Sequence, residues 1–168
     1  NVNALKFLLG KVSGDDIARL VNITDNDSEN VLHACAYSQN MIQMFDAITE
    51  SIDRKHLVEL IIGEAGKGHS FIHSALGHFH ACNAELSRLI LFIFNTILET
   101  DERSKSSIIR QRDYNTGHTP LHYAALFGLG DVMKYILDQL SSNEIVATAI
   151  QKNEGHFPER CLTLLHDA

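Results

Sequence analysis

Apolar residues fall into stretches whose spacing predicts pairs of short helices and no strands. In residues 119–137, Thr119 is suited to cap a helix, and Pro120 to its first turn, where the missing N–H has no partner to lose. Ala124 and Ala125 are small enough for a neighbouring helix to approach closely. Gly128 and Gly130 break the helix, and Asp131 is placed to cap a second one. Val132, Met133, Ile136 and Leu137 then form one apolar stripe. The prediction is a helix, a tight turn and a second helix lying back on the first. Such a pair cannot bury its own apolar face, so copies of it are expected elsewhere.

Two copies are present. Residues 28–48 put His33 where the first stretch puts His122, keep Ala34 and Ala36 small, and continue with Met44 and Ile48. Residues 68–98 put His73 at that place, with Gly68 five residues ahead of it, as Gly117 is five ahead of His122. Their second helix, with Asn83 as the expected cap, carries Leu86, Leu89, Ile90, Ile93, Phe94, Ile97 and Leu98 at helical spacing. Near the end, "GHFPERC" at 155–161 keeps the glycine, histidine and proline but has Glu159-Arg160 in place of Leu-His. "TLLHDA" at 163–168 keeps Leu-His but puts Cys161 in the glycine slot. The first register fits better, because it leaves a preceding helix in line.

That preceding helix is a second periodic signal. Ile17 and Leu57 stand sixteen residues ahead of His33 and His73; Leu20 matches Leu60, and Val21 matches Ile61. Ile145 stands fifteen ahead of Arg160, and residues 104–112 are a weaker member. Each unit is therefore expected to carry an additional short helix.

Composition narrows the class. With 168 residues, 45% of them apolar, the chain is long enough for one domain with a sizeable core. The most apolar run, "LILFIFNTIL" at 89–98, is interrupted by Asn95 and Thr96 and falls short of the ~20 residues of a membrane helix. Three widely spaced cysteines, Cys35, Cys82 and Cys161, do not make a disulfide framework and point to a reducing, intracellular setting. A net charge of −7 argues against direct nucleic-acid binding and favours a basic partner. The first residue is Asn1, and a segment of a larger chain is expected.

The stretch 115–137 resembles the ankyrin repeat along nearly its whole length: Gly117, Thr119, Pro120, Leu121, His122, Ala124, Ala125, Gly128, then Val132, Met133, Ile136 and Leu137. The other units resemble it in part, with Asn30-Val31 and Ser70-Phe71 in place of Thr-Pro, and the histidines are spaced more widely than the ~33 residues of a standard unit. The resemblance implies an all-α solenoid of about four helix pairs with an N-terminal cap, short turns and inserted helices. The expected units are 1–24, 25–66, 67–112, 113–152 and a partial 153–168. It also implies a non-catalytic module, in the cytoplasm or nucleus, that binds a protein or peptide through its concave face and turn tips. The residues it puts forward for contact are Tyr37, Tyr123, Leu126 and Phe127 on that face and Asp25, Asp27 and His118 at the tips. His33, His73, Thr119 and His122 are assigned to structure, their hydrogen bonds fixing the turns. A fainter likeness to the inhibitors of Rel-type transcription factors suggests an alternative, a regulator that masks such a factor. A structural spacer inside a larger chain is another.

The chemistry-bearing residues add little to this. His69, His73, His78, His80 and Cys82 are close in sequence and of types that suit zinc. But His73 and His69 occupy repeat positions, and His78 and His80 are expected in the turn between helices, so neither metal nor cofactor is expected. No nucleophile comes with a base and an orienting group. "GEAGKGHS" at 63–70 lacks the residue order of a phosphate-binding loop.

Overall fold

The computed structural model of the protein describes residues 1–12, 14–63, 70–78, 83–97, 99, 102–113 and 116–150. Every regular element among them is helical: α1 (Val2–Leu9), α2 (Gly14–Val21), α3 (Val31–Ala36), α4 (Met41–Thr49), α5 (Arg54–Ile62), α6 (Phe71–His78), α7 (Asn83–Phe92) with a π-helical continuation (Ile93–Ile97), α8 (Glu102–Arg110), α9 (Pro120–Leu126), α10 (Gly130–Asp138) and α11 (Ser142–Ile150). The pairs α3/α4, α6/α7 and α9/α10 fall on the three stretches that the apolar pattern singles out. The helices α2, α5, α8 and α11 are the additional ones expected between them.

Packing follows the side chains. The short first helices of the pairs lie in a row, α3 on α6 and α6 on α9, and each packs on its own second helix. Small buried residues permit the approach: Ala36, Ala75 and Ala124 are all within 2% of full burial. Leu32, Met41, Phe45, Ile48, Phe71, Ile72, Leu76, Leu86, Ile90, Phe94, Leu121, Val132 and Ile136 complete one continuous core. Each of the large ones contributes roughly 1.5–3 kcal/mol by leaving water. Stacked rings join successive pairs, Phe45 on Phe71 at 5.6 Å between centroids and Phe94 on Tyr135 at 5.3 Å. Of the additional helices, α5 packs on α6 and α8 on α9, and Leu57, Leu60 and Ile61 of α5 and Ile108 and Ile109 of α8 are buried. Leu20 departs from this pattern: it is exposed, whereas its sequence match Leu60 is buried.

The helix ends differ from the expected caps in three places. Gly128 takes a left-handed φ of 66° and turns the chain so that Leu129 enters the core. Leu129 thereby becomes the residue before α10, and Asp131 lies inside the first turn, where its charge meets the positive end of the helix without capping it. Asn83 is the first residue of α7, not the residue before it, and His78 closes α6 instead of lying in the turn. Helical spacing alone also missed the π turn after Phe92. Elsewhere the local chemistry is direct. Asp53 caps α5 by accepting from the His56 N–H at 3.0 Å. Ser141 and Glu144 cap α11 reciprocally, and Glu144 also pairs with Arg110, tying α11 to α8. These bonds, Ser141's first, pull the Glu144 carboxyl down to about 2.

Candidate interaction face and its histidine frame

Asn30, Ser70 and Thr119 each immediately precede a helix and stand three residues ahead of a histidine. In all three units the backbone N–H of that residue donates to the imidazole Nδ1 at 3.3 Å. This is half of a reciprocal cap, with histidine in the role that Glu or Gln usually fills. The Ser70 and Thr119 hydroxyls also lie 3.0 and 2.8 Å from Nδ1. Asn30 uses its Oδ1 on the N–H groups of Leu32 and His33, at 2.9 and 3.3 Å.

In His73 and His122 a neutral ring that accepts at Nδ1 carries its proton on Nε2, whereas at His33 the Asn30 Oδ1, an acceptor only, also lies 2.9 Å from Nδ1. His73 Nε2–H donates to the Gln111 carbonyl at 3.1 Å, joining α6 to the segment that leads into the next pair. Asn30 Nδ2 does comparable work in the first unit, donating to the Leu60 carbonyl at 2.8 Å. His122 is fully buried, and its Nε2 has no partner among the described residues. Burial first, then the nearby His118 and Arg112, push its pKa down to about 4.

The turns ahead of α3 and α9 share a backbone design. The Asp25 N–H donates to the Glu29 carbonyl at 3.0 Å and the Asp113 N–H to the His118 carbonyl at 2.9 Å, closing each loop just before its cap residue. Five residues ahead of the histidine, Gly117 has φ 71° and Ser28 has φ 59°. Ser28 thus adopts the left-handed conformation that glycine takes freely, an uncommon and strained state for a serine. Asp113 is a residue the sequence reading missed. It is buried and accepts from the Thr116 hydroxyl at 2.6 Å and the Tyr123 hydroxyl at 2.7 Å. Its signal is the recurrence of an aspartate at the start of each turn, hidden because one loop is a residue longer than the other.

The residues put forward for contact divide into two groups. Tyr37 and Leu126, each four residues past a repeat histidine, are both 46% exposed. Phe127 is half-buried and stacks on Tyr123, and Asp25 and Asp27 are exposed at the first turn. The Tyr37 hydroxyl donates to Glu29 at 2.5 Å; burial and then this carboxylate push the phenol up to about 12. Tyr123 is half-buried and rests edge-on against His73 and His118. His118 does not lie at an exposed tip as expected: it is buried, with its ring stacked on His122 at 5.4 Å. The closed loop folds it inward, so only the other six face outward in whole or in part.

No group of three or more His, Cys, Asp or Glu side chains is arranged to hold a metal ion among the described residues. His69, His80, Cys82, the 64–69 part of the glycine-rich stretch and the 153–168 unit lie outside those residues. Cys35 is buried, which pushes its thiol up to about 11, away from the reactive thiolate. No helix among the described residues is long and apolar enough to cross a membrane.

Comparison with known families places this frame. The ankyrin repeat model matches residues 116–144, which span the turn, α9, α10 and the start of α11. Among curated proteins, none matches the chain. The described residues thus form helices only, with an ankyrin repeat at 116–144, and an ankyrin repeat is a protein–protein interaction unit.

Proposed function

We propose that the protein is a non-catalytic binding module that holds a protein or peptide against the face formed by α3, α6 and α9 and the turns that precede α3 and α9. The whole chain is read as units 1–24, 25–66, 67–112, 113–152 and 153–168, the recurring N-cap–histidine frame supporting this division at His33, His73 and His122. The observation that carries the reading is the exposure of two large apolar side chains, Tyr37 and Leu126, at equivalent positions at the ends of α3 and α9, whose Leu32 and Leu121 are buried. Apolar area displayed on a rigid scaffold favours binding. Phe127 and Tyr123 extend this surface beside Leu126. Asp25 and Asp27, on a chain of net charge −7, favour a partner with basic residues and faster encounter with it.

The test is affinity capture from a cell extract with the wild-type protein and with Leu126→Glu/Phe127→Glu, both shown by circular dichroism to be equally folded. A partner retained by the wild type and lost by the variant supports the face. Identical captured proteins from both would assign binding to another surface.

A further inference from the structure

Away from the α3–α6–α9 residues, α4 and α7 line a groove of about 250 Å³. Ile42 and Asp46 line it from α4, and Glu85, Arg88, Leu89 and Phe92 line it from α7. Nearby, α1 packs closely on α4 and α10 on α7. Leu89 is buried in the floor, while the Phe92 ring stands 43% exposed beside it. Asp46, Glu85 and Arg88 are exposed, and none of them takes part in an ion pair among the described residues.

Arg88 decides what fits. A basic helix seated here would meet Arg88, and an acidic one would meet Asp46 and Glu85. A second copy of the same surface meets both requirements. It brings an aromatic knob, an apolar slot and charges of both signs, and a two-fold axis pairs each with its complement. We propose that the protein self-associates as a two-fold dimer through the α4–α7 face. Phe92 of one copy enters the slot over Ile42 and Leu89 of the other, and Arg88 meets the Asp46 and Glu85 carboxylates across the axis. This surface is separate from the α3–α6–α9 face, so a dimer leaves that face open. The charge of −7 on each copy opposes association, and the patch is small, so the dimer belongs to the weak class, with a Kd of roughly 10–100 µM.

Analytical ultracentrifugation at physiological salt, from about 5 to about 500 µM protein, tests this across the expected Kd. The wild-type average mass should climb towards that of a dimer, and Phe92→Asp should remain a monomer with an unchanged melting curve. Arg88→Glu alone and Asp46→Lys/Glu85→Lys alone should each be monomeric, because each faces like charge across the axis. Their equimolar mixture should associate at least tenfold more tightly than either alone, since every facing pair is then attractive. A wild type that stays monomeric throughout would overturn the proposal. So would a dimer unaffected by Phe92→Asp, or a mixture no heavier than its components.

Discussion

His122 gives the most discriminating test of the frame, because its burial makes it a pH sensor for folding. Its folded-state pKa is about 4, against an unfolded value of 6.5. As pH falls, the unfolded chain takes up the proton first. Stability from this group is therefore complete above pH ~6.5, is lost as pH falls towards ~4, and changes no further below that. The full window is worth at most about 3–4 kcal/mol, and the step from pH 7 to pH 5 about 2 kcal/mol. With a urea dependence of roughly 2 kcal/mol per molar, that step lowers the unfolding midpoint by about 1 M. The informative variant is His122→Gln. Glutamine at this position can still accept from the Thr119 N–H, as in an ordinary capping box, but does not titrate. At pH 7 it should cost no more than ~1.5 kcal/mol, the scale of one hydrogen bond. At pH 5 it should match or exceed the wild type. The comparison is made by urea unfolding followed by circular dichroism at both pH values. Equal pH slopes in wild type and variant would refute the claim that a buried neutral His122 holds the unit together.

Further tests address single positions. Ser28→Gly should raise stability by up to ~1 kcal/mol in thermal unfolding, since glycine relieves the left-handed strain; a loss would show that the serine itself supports the turn. Gly128→Ala should cost about 1 kcal/mol, because φ 66° disfavours any side chain even though a Cβ would meet nothing within 4 Å. Asn30→Ala should cost roughly 1–3 kcal/mol in urea unfolding, because it removes a helix cap and leaves the buried Leu60 carbonyl without its donor. Leu126→Glu should change the unfolding midpoint by less than ~0.5 kcal/mol equivalent, as expected of an exposed position.

Much of this architecture is written in local sequence. A cap residue three ahead of a histidine, small residues on one helix and an apolar stripe on the next specify each helix pair through interactions within about one turn. The additional helices were legible for the same reason: Ile17, Leu57 and Ile145 recur at nearly fixed distances from the repeat position. Tertiary structure decided matters that depend on contacts between units. Nothing in the local pattern tells that Asp113 turns inward to Thr116 and Tyr123, or that His118 stacks on His122 and leaves the surface. Nor does it tell that Leu20 is exposed while Leu60 is buried, since identical residues at matching positions differ only in what packs over them. The groove between α4 and α7 belongs to the same class. Its six lining residues lie on two helices some forty residues apart in the chain, and only the packing of one unit on the next brings them to one surface. Short-range periodicity selects the elements, because it acts through neighbours along the chain. Burial and exposure are set by neighbours in space, which the row of stacked pairs alone supplies.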